Sequence, residues 1–185
     1  MSTPTTDIAS ILVEHDAWCT RELLLRCREL PTEALHQRFD FGLGSIHDTF
    51  LHIIAAMVRW AERIEGRAVT KWMGPEDNKT RYSVEQLLAL LEDAAIQLRA
   101  ATHAARAEKT GEWTGMVSLG AGYVEGVDDA RTSKAATLVH VTTHGTHHRS
   151  QVFQMLRRVG VSLESGQFDP VEWDLRMRAV NAHGR

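Results

Sequence analysis

The sequence predicts an all-α protein, an antiparallel four-helix bundle whose long crossover contains a short β-hairpin or extended excursion. Three observations lead there. Apolar residues recur at intervals of three and four through most of the chain, the spacing that places them on one face of a helix. Serines followed three residues later by an acid or amide mark helix starts, and glycines mark helix ends. One stretch, EWTGMVSLGAGYVEGVDD, breaks the pattern with repeated glycines and short runs containing Val and Trp, as a hairpin would.

The elements follow in order. Residues 7–28 carry Ile8, Ile11, Leu12, His15, Trp18, Cys19 and Leu23 as an apolar stripe, and Pro31 closes this helix or opens the next turn. A second helix opens at Gly44-Ser45, with Ser45 as N-cap and Asp48 in the capping-box position, and ends at Gly66. Its stripe is Ile46, Phe50, Ile53, Met57, Trp60 and Ile64. After a turn-rich stretch from Gly74 to Asn78, Ser83 and Gln86 form a second capping box. They open a helix through about Lys109, with Leu87, Leu90, Leu91, Ala94 and Leu98 inward. Thr132 or Ser133 caps a long last helix that runs to Gly160, where glycine supplies the left-handed position after the helix end. A short turn of helix is expected around residues 170–178.

At 185 residues the chain is long enough for one substantial core and short for two, so residues 1–185 are read as a single domain. A net charge of −3 without a basic face argues against nucleic acid as a partner. No apolar run approaches the ~20 residues that cross a bilayer, and the start, MSTPTTDIAS, lacks the pattern of a signal peptide. A cytoplasmic location without membrane partners is therefore expected. Cys19 and Cys27 would lie about 12 Å apart on one helix, too far for a disulfide, and are expected as reduced thiols.

Residues 140–151 read HVTTHGTHHRSQ, with four of the chain's 10 histidines. The stripe of this helix runs Leu138, Val141, His144, His148, Val152, Met155 and Val159, so His144 and His148 fill positions that a plain bundle gives to Leu or Ile. Imidazoles at i and i+4 lie one turn apart on one face, where both can reach a single metal ion at roughly 2.0–2.1 Å. Buried without partners they would cost on the order of 1–3 kcal/mol each, a penalty that a metal removes. His140 sits at the edge of the stripe as a neighbour of the ligands, and His147 on a polar surface face. Gly145 stands where an H-E-x-x-H zinc protease needs its general base, which excludes that class. The third ligand must come from another helix, and GSIHDTFLHIIAAMVRW offers His47 and His52. Periodicity favours His47, while small neighbours leave room at His52. The pattern does not decide between them.

Three segments resemble the DinB/YfiT-like superfamily of metal-binding four-helix bundles. They are HDAWCTRELLLRCRELP, GSIHDTFLHIIAAMVRWAERIEG and LVHVTTHGTHHRSQVFQMLRRVG, the last close to the family's H-x-x-x-H-R-G-Q signature. The resemblance implies a three-histidine site of His52, His144 and His148 holding a divalent transition metal such as zinc, nickel or iron. It also matches Arg149 and Gln151 to residues that order the helix or a neighbouring carboxylate. Two positions depart from the pattern: Ser150 replaces a glycine, and Met57 an acidic residue.

Relatives of this kind include thiol-dependent S-transferases and a thiol-dependent isomerase. The resemblance thus implies a metal-dependent enzyme that passes a low-molecular-weight thiol to a small electrophilic substrate. Two alternatives stand beside it: a metal-dependent hydrolase, and a stress-associated metal-binding module without turnover that acts through its dimer or a partner. A homodimer is expected from the family's habit. Trp18 and Trp60 are expected in the core, whereas Trp72, Trp113 and Trp173 fall in connections, placed to line a pocket mouth or a dimer contact.

Overall fold

The structure, a computed structural model, describes residues 7–70, 79–107, 113, 115–120, 123–164 and 166–183, the last three by their backbone alone. Its elements are α1 (Ile8–Arg26), α2 (Thr32–His36), α3 (Ile46–Ile64), α4 (Val84–Arg106), β1 (Met116–Gly120), β2 (Ala130–Ser133), α5 (Lys134–Arg158) and α6 (Pro170–His183). The four long helices α1, α3, α4 and α5 form the bundle: α1 packs on α4 and α5, and α3 packs on the same two from the other side.

The expected caps are in place. The Ser45 hydroxyl accepts from the Asp48 amide at 3.0 Å, although the Asp48 carboxylate turns to Arg38 and His47 instead of completing the box. Ser83 and Gln86 make the full reciprocal pair, and Ser133 caps α5 through the Ala136 amide. Beyond α5, Gly160 adopts φ +89°. The excursion between α4 and α5 is an antiparallel hairpin, with Met116 opposite Ser133 and Val117 opposite Thr132. Helix α2, which Pro31 opens, escapes the periodicity because it lasts only five residues. The terminal helix α6 is longer than the expected single turn. The Gly74–Asn78 stretch and Trp72 lie outside the described residues.

Contacts at the helix ends give each helix its direction within the expected bundle. Arg28 beyond the end of α1 meets Glu85 at the start of α4, so these two run antiparallel. Arg158 at the end of α5 meets Asp40 ahead of α3, and that pair is antiparallel as well. However, the starts of α3 and α4 lie together, because the Tyr82 amide donates to His47 Nε2 at 3.0 Å. The bundle is therefore up-down-down-up, with α3 and α4 parallel. The connection between those two is the long crossover in topological terms, and the hairpin passes over the end of α3.

The core is made by the predicted stripes of α3, α4 and α5. On α3 burial extends almost all the way round, because α4 covers one side and α5 another. The stripe of α1 is rotated from the expected one. Ile8 is 75 % exposed, and the buried residues are Ala9, Val13, Asp16, Ala17, Cys19, Thr20, Leu23 and Leu24, of which the expected stripe holds Cys19 and Leu23. His15 and Trp18 are half-buried on a second face, covered by Phe168 and by Trp173 of α6. Trp60 is buried, and Trp113 packs against the core edge. Both cysteines are free thiols, and burial pushes each up to about 12. No helix among the described residues is long and apolar enough to cross a membrane.

Candidate metal centre

Helix α3 delivers His52 to the seam with α5, where His144 and His148 stand one turn apart. One ligand atom from each of the three lies within 4.8 Å of the others, and each side chain is half-buried. His52 Nε2 and His144 Nε2 are 3.0 Å apart. Two nitrogens each 2.0–2.1 Å from a tetrahedral ion would sit about 3.3 Å apart, so this spacing needs little adjustment to hold one. His144 Nδ1 is buried and has no hydrogen-bond partner among the described residues, which leaves Nε2 as its working atom.

The orientation of His148 is set from behind. Its Nδ1–H donates to Gln151 Oε1 at 2.9 Å, which turns Nε2 toward the cluster. Gln151 in turn donates from Nε2 to His147 Nε2 at 3.2 Å. A Cβ at Gly42, where φ is +60°, would come within 2.8 Å of Gln151 Oε1, so glycine there lets the loop before α3 close over the amide. Sequence reasoning did not find Gly42, and no local signal marks it.

Electrostatics favour neutral imidazoles, the form that binds metal. Burial, reinforced by the neighbouring histidines, holds His144 down to about 3. Burial also lowers His148, against an opposing hydrogen bond from Gln151. No carboxylate joins the cluster among the described residues. Met57, where the resemblance leads one to look for an acid, is packed in the core at 1 % exposure.

The remaining candidates separate. His47 does not join the cluster: its Nε2 accepts from the Tyr82 amide, and its Nδ1–H donates to Asp48 Oδ1 at 3.1 Å. Both ring nitrogens are thus spent on joining the starts of α3 and α4. His140 is exposed and touches the site through ring contacts, 5.7 Å from His144 and 4.7 Å from Trp60 between centroids. His147 is on the surface, as expected.

Arg149 points away from the cluster, across to α1. Its Nη1 donates to Asp16 Oδ1 at 2.5 Å and to Thr20 Oγ1 at 3.3 Å, and its Nη2 to Thr146 Oγ1 at 2.9 Å. Asp16 and Arg149 are both buried, at 1 % and 7 % exposure. Burial pushes the Asp16 carboxyl up, and the charge and hydrogen bond of Arg149 oppose it. Gly145 makes this approach possible, since a Cβ there would lie 2.4 Å from Asp16 Oδ1 and 2.8 Å from Arg149 Nη1. The neighbouring carboxylate ordered by Arg149 is therefore Asp16. A close reading could have found it as an acid lying in register with Val13 and Thr20. Beside the pair, a cavity of about 470 Å³ opens between α1, α5 and Phe168, on the flank of α5 opposite the histidines.

A helical bundle that gathers three imidazoles between two of its helices is the framework of a metal-binding bundle protein. The DinB family model matches residues 1–173, and the chain belongs to the DinB family. The protein DinB of Bacillus subtilis strain 168 is 24 % identical over 156 residues, spanning 83 % of this chain and 87 % of that protein. A DinB-like protein from Bacillus cereus ATCC 10987, solved by crystallography, superposes with a TM-score of 0.51 at 18 % identity, covering 82 % of this chain and 91 % of that one.

Proposed function

We propose that this protein is a metal-dependent enzyme that transfers a low-molecular-weight thiol to a small electrophile. The observation that carries the reading is the cluster itself: three half-buried histidines, with no carboxylate among the described residues to close the set. Three protein ligands leave coordination positions for an exogenous group, the arrangement of a catalytic rather than a structural site. His52, His144 and His148 would hold the ion, which when bound would keep a thiol in its thiolate form. Sulfur would then bond to an electrophilic carbon as the leaving group departs with its electron pair. The chain's own part is to present neutral Nε2 atoms, with Gln151 fixing the ring of His148. That no carboxylate base joins the cluster among the described residues supports thiol transfer over hydrolysis by an activated water.

The test loads untagged protein with cobalt and titrates it with mercaptoethanol, following the sulfur-to-cobalt absorption band, and then assays conjugation to chlorodinitrobenzene. About one equivalent of metal, a thiolate band and turnover are expected, all lost in His52→Ala. A cobalt-loaded protein that gives no thiolate band overturns the reading.

A further inference from the structure

The face of α3 that carries His52 continues into two arginines. Arg59 lies seven residues on and Arg63 four further, so both leave the helix on the side of His52, roughly 10 and 16 Å along its axis. A chain of contacts joins them to the cluster. The His140 ring lies 5.7 Å from His144, the Trp60 ring 4.7 Å from His140, and the Arg63 guanidinium 4.8 Å above the Trp60 ring. Tyr123, between the hairpin strands, meets the same Trp60 at 6.4 Å.

Both arginines are half-buried, and among the described residues no carboxylate pairs with either. Glu62, beside Arg63 in sequence, turns to Thr70, accepting from its amide at 2.8 Å and its hydroxyl at 2.5 Å, and meets Arg67 at 3.6 Å, so that its charge reaches Arg63 without a direct ion pair. Glu65 is held by Arg67 at 2.5 Å. Partial burial first, and the charge of Arg59 second, lower Arg63 from its ordinary value. Many of the other arginines have acidic partners, among them Arg28, Arg38, Arg99, Arg149, Arg158 and Arg176, and those without one among the described residues, Arg26, Arg81 and Arg157, are exposed. Two like charges side by side, partly desolvated and without a direct carboxylate partner among the described residues, on a chain of net charge −3, form an arrangement that an anion would complete.

We propose that Arg59 and Arg63 form the anion-binding end of an elongated small-molecule site whose other end is the three histidines. The inference rests on the thiol reading and narrows it: the thiol carries an oxyanion, carboxylate or phosphate, some 10 Å from its sulfur. Planar guanidinium groups suit either oxyanion, and the aromatic wall of Trp60 and Tyr123 suits an apolar stretch between the two ends.

The test compares thiols of matched length on the cobalt-loaded protein: mercaptooctanoate, mercaptooctylphosphonate and neutral mercaptooctanol, with mercaptoethanol as the short reference. At least one anionic thiol is expected to bind about tenfold or more tighter than the alcohol. The ratio between the two anions distinguishes carboxylate from phosphate. Arg59→Gln/Arg63→Gln is expected to remove most of that advantage while cobalt content and mercaptoethanol affinity stay unchanged. Equal affinity of charged and neutral thiols for the wild type overturns the proposal and leaves the thiol reading standing, as does a double variant that keeps the advantage. Absence of a thiolate band with every thiol takes down both. Should the double variant fold poorly, the wild-type comparison with single Arg59→Gln decides.

Discussion

Arg149 Nη1 meets Asp16 Oδ1 at 2.5 Å across the α1–α5 interface, one residue after His148 and about 100° round the same helix. α5 is thus held from both flanks, by an ion pair toward α1 and by histidines facing α3. Arg149→Met leaves a buried carboxylate without its counter-charge and is expected to cost roughly 3–5 kcal/mol in urea denaturation. Asp16→Leu/Arg149→Met removes both charges and should recover most of that loss. A double variant as unstable as the single one would show that the pair is not the unit.

Gly145→Ala raises helix propensity by about 1 kcal/mol, yet it should destabilise the protein by roughly 2–4 kcal/mol. The added methyl would stand where Asp16 and Arg149 now meet. Ser150→Ala on the exposed face of the same helix is the control and should stay within about 0.5 kcal/mol of wild type. A neutral or stabilising Gly145→Ala would contradict the close packing described.

Gln151→Ala takes away the acceptor of His148 Nδ1–H without touching a ligand. Metal affinity, measured by competition with a chromogenic chelator, should fall roughly 10- to 100-fold. The melting temperature of the metal-free protein should change little, because the amide's other hydrogen bond goes to exposed His147 and the loop at Gly42 meets it only by packing.

The pH dependence of the metal-free protein follows from its lowered histidines. His15, His144 and His148 are all held below the ordinary 6.5, chiefly by burial, His144 down to about 3. Below 6.5 the unfolded chain takes up protons that the folded chain refuses. Stability is therefore complete above that value and is lost progressively as pH falls below it, for His144 down toward about 3, with solvent exposure keeping each contribution below the limiting slope of about 1.4 kcal/mol per pH unit. Melting temperatures between pH 8 and pH 4 would check this, and a flat profile below pH 6.5 would contradict it.

His47→Ala distinguishes the two candidate histidines of α3. Since both ring nitrogens of His47 serve the junction with Tyr82 and Asp48, its loss should cost roughly 1–3 kcal/mol while metal content stays at the wild-type level. Elemental analysis beside denaturation separates this from His52→Ala, in which metal is lost.

Local pattern carried the fold a long way. The stripes of α3, α4 and α5 and the caps at Ser45, Ser83 and Ser133 are where the spacing places them, because capping and amphipathicity are decided within a few residues. Helix direction is not a local property, and the parallel pairing of α3 with α4 had no signature to read. The rotation of α1 was missed because Asp16 and Thr20 occupy its buried face, where hydrophobicity alone would not put them. On α3 the choice between His47 and His52 stayed open for a related reason. A helix covered on two sides buries both, and only the partners that arrive from Tyr82 and from α5 tell them apart. His144 and His148 were legible because both come from one helix, while Asp16 and Gly42 act across interfaces.

His52 and His144 stand 92 residues apart in the chain. Bringing them together means closing a loop that contains α4 and the hairpin, with the entropy cost that a long loop carries. No fragment that ends before α5 can contain the cluster, and a partly docked α5 would separate its members. An ion that needs all three ligands would therefore bind only after the bundle has closed, and would mark the copies that have done so.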